Sequence, residues 1–311
     1  MAPIRWNSKI VLFEIESAYG TDPTPTGAAN AMLMTAVEFT PMEGDDVSRD
    51  LERPWLGAQE MIPTGLRARL KGKVELAPSG ETGTAPAWGP MLRACGMAET
   101  IVAETSVAYN PISDAMESGT LHFWIGGTRH ILTGCRGTCV LRAAAQAIPY
   151  LEFDMLGLWS APSEQTRPTP DLSGFAAPQI VTSTNTPTFT VNSVSLVLRE
   201  ASLNLGNAVE PRLLVGSESI IIPDRAESFA ARVEAVALTT FNPFALANAR
   251  TLVAVSLVHG TGAGKIATLT IPAAQLKRLS GYENQQNILE WPLELIPLPA
   301  SGNDQFSLTL T

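Results

Sequence analysis

The chain has 311 residues, 45% hydrophobic and 16% charged, with 21 Lys and Arg against 30 Asp and Glu for a net charge of -9. Such a length accommodates two domains with cores of their own. The acidic balance argues against a protein that grips nucleic acid by its phosphates, because Lys and Arg supply that affinity. The three cysteines, Cys95, Cys135 and Cys139, make no disulfide framework. The opening MAPIRW lacks a signal peptide's apolar stretch, and no run approaches the roughly 18 apolar residues of a membrane helix. A soluble product of the cytoplasm is expected.

In chain order, strand signals come at residues 37–42 and at 66–76, where apolar and basic residues alternate. A short helix is predicted over 87–95, stopped by Gly96. A hairpin around Gly126-Gly127 and a closing strand over 148–156 follow. Residues 161–188 include Pro162, Pro168, Pro170, Pro178 and Pro187 and read as an extended linker that cannot continue a sheet. Beyond it the same kinds of signal recur: strands at 194–198 and 229–236, a helix over 243–249, strands at 252–258 and 266–271, a closing strand at 288–295, and a last strand at 306–310. The expected architecture is mainly β, with two tandem β-sandwich or barrel modules, residues 1–160 and 189–311, each with one short flanking helix. Two similar modules in one chain suggest rings or arrays.

Each half also holds a long connection ahead of the strand that starts its repeated order, residues 43–65 and 199–225. Loops of this length in a compact domain are usually functional, so contacts between subunits or rings are expected from both. In the first, the candidates are Glu43, Asp45, Asp46, Arg49, Asp50, Glu52, Arg53, Trp55 and Leu56; in the second they are Arg199, Glu200, Arg212, Leu213 and Leu214. An exposed Trp55 would make a strong interface anchor. In an extended strand Arg67, Arg69, Lys71 and Lys73 share one face. Such a row repels itself unless neutralised, and Glu43, Asp45, Asp46, Asp50 and Glu52 are the expected partners.

Motifs for chemistry fail on spacing. GTGAGK at 260–265 lacks the first glycine and the Ser or Thr of a phosphate loop and precedes a strand pattern, so it reads as a glycine-rich hairpin turn. In an extended strand Cys135 and Cys139 would hold their sulfurs about 13 Å apart, too far for one zinc ion. His122, His130 and His259 are the candidate bases, and none sits beside a nucleophile elbow. Glu152 with Asp154, and Glu290 with Glu294, share strand faces, and solvated strand faces explain them. No enzyme activity, cofactor or metal is expected. The tryptophans fit core or interface positions better than base-stacking platforms, which come with a basic groove.

The segment KIVLFEIESAYGTDPTP at 9–25, with Asn242-Pro243-Phe244, AAQL at 273–276 and GNDQFSLT at 302–309, resembles the major tail tube proteins of long-tailed (siphovirus) bacteriophages over nearly the whole chain. That resemblance implies β-sandwiches whose inner sheets join into a ring, and rings stacked into a tube that conducts DNA into the host. Most members of that family carry one such domain and form hexamers, so the duplication here implies a homotrimer with pseudo-sixfold symmetry. The implied partners are further copies of the chain, a tape-measure protein in the lumen, tail terminator and distal tail proteins at the ends, and DNA in transit, with no membrane. The competing reading is a carbohydrate-binding or adhesive β-sandwich, with exposed aromatics on one concave sheet.

Overall fold

The computed structural model describes residues 3–311, which are mainly β with two short helices. The first half runs β1 (Lys9–Ile15), β2 (Ala31–Met32), β3 (Thr35–Ser48), β4 (Met61–Glu75), α1 (Gly89–Arg93), β5 (Met97–Val102), β6 (Ser106–Pro111), β7 (Gly119–Ile125), β8 (Thr128–Ala144), β9 (Tyr150–Trp159) and β10 (Ser163–Glu164). The second runs β11 (Thr188–Val191), β12 (Val194–Ser195), β13 (Leu198–Asn204), β14 (Asn207–Leu214), β15 (Ser217–Arg225), β16 (Ser228–Glu234), α2 (Pro243–Ala249), β17 (Leu252–His259), β18 (Ala267–Leu276), β19 (Glu283–Gln285), β20 (Ile288–Pro297) and β21 (Ser307–Leu310).

Antiparallel pairing follows the same order twice. In the first half it is β2-β1-β7-β8-β9-β4-β3. In the second it is β12-β11-β17-β18-β20-β16-β13. The following strand adds to the start of the long fourth one in both cases, β10 to β8 and β21 to β18. The strands do not close into a barrel. β8 serves two layers: its first part pairs with β7, whereas residues 140–144 pair with β13 of the second half. The change of layer falls at a register shift between Thr133 and Arg136. Gly134 sits there with φ +59°, and a Cβ at that site would run into the Tyr19 ring.

Strand alternation places the core. Leu141, Leu203, Phe229 and Leu295 line up across β8, β13, β16 and β20, and all four are buried. That row crosses from one half to the other, and buried residues of both halves form one contiguous cluster. The helices are too short to be stable alone. α1 is fixed by buried Trp88, Met91 and Leu92, with the Trp88 indole N–H donating to the Ala77 carbonyl at 2.9 Å. It is shorter than the predicted 87–95, with Trp88 as its N-cap and Ala94 as its C-cap. α2 occupies the predicted span; Asn242 caps it by accepting from the Ala245 N–H at 2.9 Å, and Arg250 ends it in the left-handed conformation.

Three expectations need correction. Residues 43–65 are not a loop: β3 and β4 extend into it as a hairpin arm whose tip is 49–60. Nor are 199–225, where Arg199 and Glu200 belong to β13 and a second arm, β14–β15, fills 207–225. Both stretches hide their strands behind Gly, Pro and Asp, residues of low strand propensity. Cross-strand ladders hold them where no buried face does. The proline-rich stretch does contribute to a sheet, since Ser163–Glu164 form β10 and Thr128 Oγ1 donates to Glu164 Oε1 at 2.6 Å. The pair falls in the proline-free gap between Pro162 and Pro168.

Candidate functional site

The first arm carries its apolar residues into solvent. Its ladder runs from Glu43 opposite Arg67 to Ser48 opposite Met61. Beyond it the tip is stapled by Gln59, whose side chain bonds both the N–H and the carbonyl of Leu51, and by an Arg49–Glu60 ion pair. Trp55 is 66% exposed and Leu56 fully so, flanked by exposed Met42, Val47, Leu51, Met61 and Ile62. Asp45, Asp46, Asp50, Glu52 and Arg53 are exposed as well. These exposed apolar residues thus gather on one hairpin.

The second arm is anchored at its root and along its middle, and its turn is exposed. Leu214 and Val215 are exposed at the turn, with Arg212 opposite Ser219 and Leu213 opposite Glu218. Midway along the arm, the buried Ile220 N–H donates to the Tyr19 hydroxyl at 2.5 Å, and Arg136 Nη1 donates to the Ile220 carbonyl at 3.0 Å. Asn207 Nδ2 donates to the carbonyls of Cys95 and Gly137, and Arg225 donates to Asn207 Oδ1 and the Gly96 carbonyl. These contacts seat the arm across β8 and β9 of the first half. Tyr19 and Arg136 gave no sequence signal for this role, because nothing local marks contacts made 201 and 84 residues away.

Strands β4 and β9 carry a charged sheet face. Arg67, Arg69, Lys71 and Lys73 do share it, and each is ion-paired. Of the acids expected to neutralise them only Glu43 does so, bonding Arg67 and Arg69. The remaining partners are Asp154, which bonds Arg69 at 3.1 Å and Lys71 at 3.3 Å, and Glu152, which bonds Lys73 at 2.6 Å. Register explains the correction. β9 lies beside β4 with Lys71 opposite Asp154 and Lys73 opposite Glu152, whereas Asp45 and Asp46 lie further along the arm, opposite Thr64 and Pro63. The period-2 alternation of β9 was the available signal; what hid it was that the pairing of β4 with β9 spans most of a module.

The face continues across the second half. Arg142 donates to Glu152 at 2.8 Å, Arg232 bonds Glu200 and Glu283, and Lys277 bonds Glu294. Arg199 bonds the fully buried Glu290. Partial burial alone would push the Glu152 carboxyl up, but hydrogen bonds from Lys73 and Arg142 outweigh it and hold the group below its ordinary 4.5.

The candidate bases are packed into the fold. Burial lowers the pKa of His122, opposed by Asp22, which lies 2.9 Å from its Nε2. Burial also lowers His130 and His259. His259 accepts from Thr186 Oγ1 and donates to the Gln179 carbonyl, fixing the extended segment to β17. All three cysteines are free and buried, and burial pushes their thiols far up. Among the described residues no group of three or more His, Cys, Asp or Glu side chains is placed to hold a metal ion, and no helix is long and apolar enough to cross a membrane. Residues 260–264 form the turn between β17 and β18.

The family model described as phage tail tube protein matches residues 6–307. No curated protein matches the chain.

Proposed function

The chain belongs to the phage tail tube protein family, and we propose that it builds the tube from rings of three chains, each supplying two of six quasi-equivalent modules. As a tail tube protein it is a structural component of the virion tail that assembles with itself and with other tail components. In the proposed division, residues 1–160 and 189–311 are the modules and 161–188 join them.

The observation that carries this reading is the β8–β13 ladder, with Glu200 opposite Ala144 and Asn204 opposite Val140. It is an edge-to-edge junction between two units of like pairing order inside one chain. An open sheet edge is an aggregation hazard unless it is paired, and repeating that junction between chains converts the remaining edges into a closed ring. Three chains then supply the six positions. The arms reach the neighbouring subunit or ring, with Trp55 and Leu56 as anchors.

The charged sheet face lines the channel in this reading. Cations already held by carboxylates gain little from meeting phosphates, so such a lining displaces few of the counterions condensed on DNA. The tube so built is a non-enzymatic conduit for DNA ejection of the long-tailed (siphovirus) kind, with a tape-measure protein inside and terminator and distal tail proteins at its ends. Negative-stain electron microscopy of the purified protein at rising concentration tests the reading: rings and stacked tubes are expected, and a protein that stays a monomer under all tube-forming conditions contradicts it.

A further inference from the structure

The pairing order that repeats within the chain also fixes, rung by rung, which edges of two copies should meet. The inference rests on the ring reading above. In β9 the run Leu151-Glu152-Phe153 holds the place of Leu289-Glu290-Trp291 in β20, each beginning one residue into its strand. Arg142 lies opposite Tyr150, the first residue of β9, and Gln285 lies opposite Ile288, the first residue of β20. Gln285 therefore holds the place of Arg142. On the other side, Thr40 connects through Arg69 to Leu156, and Ser202 connects through Ala230 to Glu294. Leu156 and Glu294 each lie four residues beyond the matched glutamate, so Thr40 holds the place of Ser202. The match extends to Glu38 and Glu200, each the first paired residue after a register shift in its strand.

Within the chain Ser202 lies opposite Arg142. We propose that Thr40 of one copy lies opposite Gln285 of a second, with Pro41 opposite Asn284, so that β3 and β19 form the ladder that joins chains. Both edges are open: among the described residues β3 pairs only with β4, and β19 only with β20. Exposed Met42 on one side and exposed Tyr282, Ile288 and Leu289 on the other give the junction an apolar border.

The register also accounts for Pro41. In β13 the Leu205 N–H donates to the Cys139 carbonyl at 3.0 Å, so alternate amides, including that of Leu203, face β8. Pro41 stands where Leu203 does and has no N–H. This rung keeps one bond, from the Asn284 N–H to the Pro41 carbonyl. A proline on an exposed edge discourages indiscriminate strand pairing, and here it leaves the junction between chains with fewer bonds than the junction within one.

Cysteine cross-linking tests the register, because directly opposed residues bring their Cβ atoms within disulfide reach. The native cysteines are buried and add no surface thiol. Tubes of the T40C/Q285C double variant, oxidised and run without reductant, should give covalent dimers and trimers and nothing larger. A mixture of T40C chains with Q285C chains should give dimers, and either alone should give none. The pair R142C/S202C should close within single chains whether or not tubes form. Tubes of normal appearance that stay uncross-linked, in both the double variant and the mixture, would overturn the register and leave the tube reading standing. Wild-type protein that forms no rings would remove that reading, and this inference with it.

Discussion

The Tyr19 hydroxyl accepts the backbone N–H of Ile220 at 2.5 Å and donates to the Gly134 carbonyl at 3.2 Å, tying the N-terminal segment, the bend in β8 and the middle of the second arm into one knot. Ile220 is fully buried, so its amide has no water to replace a lost partner. Tyr19→Phe is expected to cost about 1–3 kcal/mol in denaturant unfolding. It should also accelerate hydrogen exchange at Ile220 well beyond that at the arm's tip.

Phe229 stands in the buried row that crosses between the halves. Phe229→Ala should cost about 3–5 kcal/mol. Because that row belongs to one contiguous core, unfolding should remain a single transition, seen together by fluorescence of Trp88 in the first half and Trp291 in the second.

Glu152 gathers Lys73 and Arg142. Its carboxyl titrates lower in the folded chain than in the unfolded one, so its contribution is fully present above 4.5 and is lost as pH falls through the lower folded value. Glu152→Gln should therefore lower stability at neutral pH by about 1–3 kcal/mol, with the difference from wild type shrinking in acid. The variant also frees two cations on the proposed channel face. Its tubes should bind duplex DNA more tightly at low salt, with a steeper salt dependence than wild-type tubes.

The first arm has little to do with the core, since its residues are mostly exposed beyond Glu43. Replacing residues 49–60 by a two-residue Asn-Gly turn should leave a folded chain, because that turn suits a two-residue hairpin. Circular dichroism should be close to wild type while electron microscopy finds no tubes. Trp55→Ser alone should raise the concentration needed for assembly.

Much of the β architecture was legible because strand alternation and two short helix signals survive in the sequence, as in residues 66–76 and 243–249. The arms were not, because residues such as Gly44, Asp45, Asp46, Pro63 and Gly65 suppress strand propensity, and only the ladder reveals them as strands. The basic row on β4 was legible from alternation alone. Its partners were misassigned, since Asp154 and Glu152 come close only when β9 lies beside β4. The joining of the halves through β8 and β13 left no local trace; it depends on a bend at Gly134 that frees the last part of β8 from β7. Proline density likewise concealed β10.

The number of chains per ring tests the central claim most directly. Cryo-electron microscopy of assembled tubes, viewed in cross-section at a resolution that follows the backbone, should find three chains per ring, each contributing two positions of a pseudo-sixfold wall with the β8–β13 ladder inside every chain. Six chains per ring, or three chains whose two halves do not occupy equivalent positions, would contradict it.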